Sequence, residues 1–250
     1  MTAREVQARL RTLARPAQAR VLQKFFKTGP GEYGEGDVFL GVTVPQMRQV
    51  AREFSSLPDG EAERLLASPV HEERLTGLLV LVRRFERGDG RTRRRVVGLY
   101  RRNLRHVNNW DLVDLTAPNI LGAYLLDRDR GLLDRLARSP NLWRRRVAIV
   151  ATHAFIRRGE FADTLRIADR LLNDSEDLIH KAVGWMLREV GKRDLAALEG
   201  FLRTRRLRMP RTMLRYAIER FPEARRQAYL AREGALSGGI PARRAAKTPP

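Results

Sequence analysis

Apolar residues recur along most of the chain at spacings of three and four positions, which is the period of an amphipathic helix. Runs in which every second residue is apolar, the pattern of a half-buried strand, are almost absent. The pattern therefore predicts an all-α protein. The predicted helices cover residues 2–14, 17–27, 44–55, 59–67, 69–87, 90–105, 109–126 (interrupted at Pro118), 129–138, 141–158, 161–173, 176–191, 194–206, 210–220 and 222–234.

The connections between these helices are short, with one exception. Residues 28–44, TGPGEYGEGDVFLGVTV, contain too many glycines for a helix and are predicted to form an ordered loop. Three acidic residues in this loop, Glu32, Glu35 and Asp37, do not have the spacing of a calcium-binding loop. We therefore interpret them as ordinary loop charges.

Two segments of the chain resemble each other. Residues 68–88 and 139–159 both begin with Ser-Pro, carry an arginine six positions later and end in Arg-Gly. They lie 71 residues apart, or two units of about 36, and units of roughly 35–45 residues built from paired helices are typical of HEAT and armadillo solenoids. The sequence thus predicts a right-handed α-solenoid of HEAT-like hairpins with a concave basic groove. It would form one domain over residues 1–236, followed by a disordered basic tail at 237–250.

The net charge of the chain predicts a polyanionic partner. Lys and Arg number 49 against 29 Asp and Glu, a net charge of +20, and only five of the basic residues are lysines. Because the planar guanidinium suits phosphate oxygens, the excess favours nucleic acid as the partner. A charge that serves solubility and an anionic membrane surface are the alternatives.

Several classes of chemistry are excluded or disfavoured by composition. The chain has no cysteine, so disulfides, thiol nucleophiles and iron–sulfur clusters are excluded. Its four histidines lack the spacing of metal ligands, and we expect no metal and no cofactor. No apolar run approaches the ~20 residues of a membrane span, and no secretory signal is visible at the N-terminus. We expect a cytoplasmic monomer that does not bind membranes and associates with the nucleoid when bound to DNA.

The helix over 176–191 carries an aromatic residue outside its apolar stripe. Trp185 shares a different face with Lys181, Arg188 and Lys192. An indole among cations is either an aromatic platform flanked by phosphate contacts or a tryptophan that packs on a neighbouring hairpin while the cations extend past it.

Two further helices contribute candidate residues. In helix 141–158, Arg146 belongs to the same stripe as Arg157, so that it either faces the groove or lies on a solvated face. Trp110 and Asp114 are four positions apart and therefore share one helical face. Asp111 can cap the start of this helix, whereas Asp114 lies too far inside. In so basic a chain we expect the Asp114 carboxylate to be ionised.

Three segments, NNWDLVDLTAP, NLWRRRVAI and IHKAVGWMLRE, resemble those of the bacterial DNA alkylation repair glycosylases built from HEAT-like repeats, the AlkD family. The resemblance extends from the VFLGVTVPQMRQ segment to about residue 220, with the three motifs in order. It implies a DNA N-glycosylase that excises positively charged N3- and N7-alkylated purines, such as 3-methyladenine and 7-methylguanine, from double-stranded DNA in base excision repair. Carried over by motif, the catalytic residues are Trp110, Asp114, Arg146 and Trp185.

The resemblance also implies roles for these residues. Asp114 would stabilise the cationic sugar and activate water, the two indoles would flank the lesion deoxyribose, and Arg146 would bind a phosphate. Lys181, Arg188 and Arg157 are the further DNA contacts we expect. The lesion would stay stacked in the duplex. No lysine has the surroundings of a Schiff-base nucleophile, so the expected reaction is hydrolysis without lyase activity.

The N-terminal third departs from the family pattern. The loop Thr28–Asp37 is longer than usual, and Phe25 and Phe26 occupy a position where a tyrosine can occur. Two other functions stay open on the residues alone. A non-catalytic HEAT-repeat protein that binds distorted or branched DNA would need the basic groove but not Asp114. A scaffold for an acidic protein partner would use the tryptophans as anchors.

Overall fold

In the computed structural model, which describes residues 1–231, the chain is built of helices and their connections, as predicted. One parallel bridge, between Val38 and Val70, is the single extended pairing within this range. The helices are α1 Ala3–Arg11, α2 Pro16–Phe25, α3 Val44–Glu53, α4 Asp59–Leu66, α5 His71–Arg87, α6 Gly90–Arg102, α7 Trp110–Thr116, α8 Ala123–Leu125, α9 Gly131–Ala137, α10 Leu142–Ala151, α11 His153–Ile156, α12 Ala162–Arg170, α13 Asp177–Gly191, α14 Leu195–Arg205, α15 Arg211–Ala217 and α16 Glu223–Leu230.

The helices form two rows of a helical repeat solenoid. Helices α3, α5, α7, α10, α13 and α15 pack one against the next and make the inner row. Helices α4, α6, α9, α12, α14 and α16 pack on them from outside. A continuous cluster of buried apolar side chains lies between the rows and runs from α1 to the end of α15, because no hairpin can cover its own apolar face.

Helix α2 is packed differently from the others. Ala19 is its only buried residue. With Phe26 and Phe39 it forms a small separate cluster, against which Trp110 packs. Helix α2 is therefore attached to the solenoid close to Trp110 and by few side chains.

The internal repeat has a structural explanation. The arginine six positions after each Ser-Pro donates a hydrogen bond to the carbonyl of that serine, Arg74 to Ser68 at 2.9 Å and Arg145 to Ser139 at 3.0 Å. The two serines precede the helices rather than cap them, since the N-caps are Val70 for α5 and Asn141 for α10. The shared residues thus fasten the connection that enters each inner helix.

The segment that follows α7 comes unusually close to α10. The predicted interruption at Pro118 is a π turn over Pro118–Gly122, which leads from α7 into α8. A β-carbon at Gly122 would collide with the carbonyl oxygen of Ala151 in α10. Glycine is required here because the two backbones meet without a side chain between them.

Other sequence predictions concern the ends of the chain and membranes. Within residues 1–231 no helix combines the length and the apolar character that a membrane span needs. The predicted tail at 237–250 lies outside the described residues.

Candidate functional site

A cleft of about 850 Å³ opens between the inner helices and the loop that follows α2. Helix α7 contributes Trp110 and Asp114, α10 contributes Arg146 and α13 contributes Trp185. The structure therefore brings together, in one cavity, four side chains that are separated by up to 75 positions in the sequence.

Lys181 and Arg188 of α13 also line this cleft. Lys181 is paired with Asp177 at 2.7 Å, and Arg188 is paired with Glu219 of the next hairpin. Arg157 is exposed at the end of α11 and does not line the cleft. Its expected contact with DNA stays a prediction.

Asp114 and Arg146 form a bidentate ion pair at the base of the cleft. Arg146 Nε donates to Asp114 Oδ1 at 3.0 Å, and Nη2 donates to Oδ2 at 2.8 Å. The remaining Nη1 donates to the carbonyl of Leu178. Arg146 is only 5% exposed. This geometry differs from the expected phosphate contact, because the guanidinium is buried and all three of its nitrogens already have acceptors.

Two opposing effects act on the pKa of the Asp114 carboxyl group. Burial raises its pKa above the usual value, and the guanidinium of Arg146 opposes that rise. Because two donors bind both oxygens, the pair also fixes the orientation of the carboxylate. The Asp114 side chain keeps 16% of its surface exposed, and this part faces the cleft.

Trp110 packs against a cluster of aromatic rings. Its indole stacks on Phe26 at 5.1 Å, Phe26 stacks on Phe39 at 5.0 Å, and Phe39 stacks on His71 at 4.6 Å, all between ring centroids. Phe25 meets the indole edge-on at 5.9 Å. His71 also lies 5.0 Å from Phe26 between ring centroids, so these rings form one cluster that links Trp110 to α2, the long loop and α5.

His71 of this ring cluster belongs to a buried charged network. His71 Nδ1 lies 3.1 Å from Asp37 Oδ2, and His71 Nε2 lies 2.8 Å from Asp111 Oδ2. Arg74 and Asn109 donate further hydrogen bonds to Asp37. Burial alone would lower the pKa of His71, but the two carboxylates outweigh it and raise the pKa to about 9.

This network corrects two predictions from the sequence. Asp37 is not a loop charge, because it is buried against His71 and Arg74. Asp111 is not the cap of α7, since Asn109 is the N-cap residue and Asp111 binds His71 instead. Although the network contains three acidic or histidine side chains, residues 1–231 include no group of this kind arranged to hold a metal ion.

The sequence analysis missed several residues of the cleft. Phe25 and Lys27 at the end of α2, Tyr33 from the long loop and Tyr216 of α15 all line it. Tyr33 reaches the cleft because the loop folds back over it, with its ring edge-on to Trp143 at 6.1 Å. An aromatic residue placed between the glycines at 31 and 34 was the signal that could have indicated it.

The fold and the cleft agree with the comparisons to known proteins. A family model described as DNA alkylation repair enzyme matches residues 6–221. The chain therefore belongs to this family, as the AlkD-type motifs indicated.

Solved structures of similar shape come from the same group of proteins. One is described as a predicted DNA alkylation repair enzyme from Enterococcus faecalis, with 16% identity, a TM-score of 0.65, and coverage of 84% of this chain and 97% of that chain. AlkD2 from Streptococcus mutans has 16% identity, a TM-score of 0.54, and coverage of 83% and 98%. At these identities the likeness establishes the fold alone. No curated protein sequence gives a significant match.

Proposed function

We propose that this protein is a DNA N-glycosylase that excises positively charged N3- and N7-alkylated purines, including 3-methyladenine and 7-methylguanine, from double-stranded DNA in base excision repair. The observation that best supports this is the Asp114 carboxylate, which is oriented by Arg146 and shares its cleft with two half-buried indoles. The proposed enzyme acts as a monomer in the cytoplasm and associates with the nucleoid when it is bound to DNA.

The proposed reaction uses the lability of the lesion itself. Alkylation at N3 or N7 places a positive charge on the purine, so the base leaves as a neutral molecule with the electron pair of the glycosidic bond. No general acid is needed. Positive charge then develops on the deoxyribose, and the Asp114 carboxylate stabilises it. Water forms the new bond to C1′, and Asp114 accepts its proton.

The aromatic and basic residues hold the substrate in this scheme. Trp110 and Trp185 flank the lesion deoxyribose, with a cation–π attraction of ~0.5–2 kcal/mol each. Lys181 and Arg188 bind phosphates near the lesion, and Arg157 binds a phosphate outside the cleft. Arg146 takes the role of a positioning residue for Asp114, in place of the phosphate contact first expected.

The surroundings of Lys181 support hydrolysis without lyase activity. A lyase step needs a neutral amine that forms a Schiff base with the sugar. The hydrogen bond from Lys181 to Asp177 raises the pKa of Lys181 above its usual value. Its ammonium form is thereby favoured, and an ammonium group is not a nucleophile.

The test is to incubate the protein with methylated duplex DNA and to measure freed 3-methyladenine and 7-methylguanine by chromatography. We expect release well above the spontaneous rate, and intact sugar–phosphate strands before alkali is added. If DNA binds but release stays at the spontaneous rate, the alternative of a non-catalytic protein for distorted or branched DNA is correct. If methylated, branched and plain duplexes all fail to bind, the nucleic-acid function is wrong.

A further inference from the structure

Lys27 differs from the other basic residues of the cleft. Four basic side chains line it, and Arg146, Lys181 and Arg188 each form an ion pair with a carboxylate. Lys27 forms no ion pair with any residue in the range 1–231 and is exposed. It is therefore the cleft cation that has no carboxylate at ion-pair distance within the described part of the protein.

The backbone of Lys27 is also unusual. Its φ is 52°, and among the described residues it is the only one other than glycine with a positive φ. The β-carbon of an L-residue crowds the following carbonyl oxygen in this conformation, which glycine avoids. A lysine is thus kept at a position where glycine would be less strained.

Hydrogen bonds on both sides hold Lys27 in this conformation. The N–H of Lys27 donates to the carbonyl of Lys24 at 3.3 Å, and the N–H of Thr28 donates to that of Gln23 at 3.3 Å. These two bonds make a Schellman motif with Lys27 at the position that most often carries glycine. The N–H of Gly34 in the long loop then donates to the carbonyl of Lys27 at 3.0 Å.

The same motif occurs a second time with the usual residue. At the end of α11, Gly159 donates to Ile156 and Glu160 donates to Phe155, both at 3.0 Å, and the φ of Gly159 is 78°. Gly159 is exposed and does not line the cleft. Residues 1–231 therefore contain a copy of this turn with glycine outside the cleft and a copy with lysine inside it.

We propose that Lys27 binds a phosphate of the DNA strand that enters the cleft, and that its charge is retained there in spite of backbone strain. The proposal rests on the proposed DNA-binding function. An ammonium group is an effective point charge for a phosphate. Because Lys27 has no ion-pair partner within the described residues, it can bind a phosphate without first breaking an ion pair.

The first experiment replaces Lys27 by glycine and follows two quantities. Binding of an undamaged duplex is measured over a salt series, and we expect the slope of log K against log[salt] to shrink by about one for Lys27→Gly. Thermal unfolding should show a Tm higher by about 2–4 °C, because the strain at a positive φ is removed. Weaker binding together with a more stable fold is not what a merely structural residue would give.

Two matched variants control the test. Lys27→Arg keeps the charge and should keep the salt slope of the parent protein. Gly159→Lys places the same side chain in the same turn outside the cleft, and should lower the Tm by about 2–4 °C, which measures the strain of a lysine in this turn independently of the cleft.

One outcome overturns the proposal. If Lys27 only complements the dipole of α2 at its C-terminus, Lys27→Gly will lower the Tm and leave the salt slope as it was. An unchanged slope at any Tm has the same consequence. Because undamaged DNA is used, the result does not depend on excision, so a failure of this proposal is distinct from a failure of the glycosylase function.

Discussion

Two aspartates of helix α7, three positions apart, are both bound to cationic side chains but sit in different surroundings. Asp111 is buried, and His71 binds one of its oxygens while the N–H of Leu112 donates to the other. Both oxygens of Asp114 accept hydrogen bonds from Arg146, and its side chain still lines the cleft. Under the proposed function both aspartates are ion-paired, and only the one that keeps part of its carboxylate accessible to a substrate acts in chemistry.

The largest expected effect is on excision by Asp114→Asn. Loss of the negative charge removes the stabilisation of the cationic sugar, and we expect the single-turnover rate of base release to fall by about 10³-fold or more. DNA affinity should be equal or slightly higher, because a negative charge near phosphates is lost. Release of 3-methyladenine at the parental rate would show that Asp114 is not the catalytic carboxylate.

The same substitution at Asp111 should act on stability instead. Asp111→Asn leaves the buried His71 without one of its partners, and breaking a buried ion pair in this way costs about 3–5 kcal/mol of the free energy of unfolding. Urea denaturation measures this loss. The folded fraction should still release base, so a folded Asp111→Asn protein without activity would contradict the distinction between the two aspartates.

The pH dependence of stability follows from His71. Its pKa is about 9 in the folded state against a usual value of 6.5. Protonated His71 therefore stabilises the fold, with the full contribution present below pH 6.5 and lost as the pH rises towards about 9. The shift corresponds to on the order of 3 kcal/mol. Urea denaturation between pH 6 and 10 should show this decline, and His71→Gln should flatten it; a parallel decline in both proteins would assign it to other groups.

The smallest effect we predict is that of Arg146→Lys. A lysine keeps the positive charge but binds the Asp114 carboxylate through one point instead of two. The carboxylate is then less well oriented, and we expect base release to slow by about 10–100-fold with little change in the salt dependence of DNA binding. If base release keeps the parental rate and the salt dependence of DNA binding becomes weaker, Arg146 binds a phosphate instead.

Much of the site could be predicted from the sequence because it depends on local spacing. Trp110 and Asp114 share a face by their separation of four, and Trp185 lies off the apolar stripe of its own helix. The same stripe analysis selected Arg146 but not its partner, since Asp114 lies 32 positions away. The resemblance to the AlkD family joined these residues into one site.

The remaining features depend on contacts that no local pattern contains. Asp37 was interpreted as a loop charge because Glu32, Glu35 and Asp37 lack the spacing of a calcium-binding loop, while its partner His71 lies 34 positions further along. Tyr33 reaches the cleft only because the loop folds back. The positive φ of Lys27 is equally invisible, since lysine gives no signal for a conformation that glycine normally supplies.

The absence of a side chain at Gly122 has a mechanical consequence. In a helical solenoid each unit contacts only its neighbours, so the curvature changes through small tilts between adjacent units. Where Gly122 meets Ala151 there is no deformable layer of side chains to absorb such a tilt. If the protein binds a duplex as we propose, we expect any change in the curvature of the solenoid to fall on either side of this contact, so that Asp114 and Arg146 keep their relative positions.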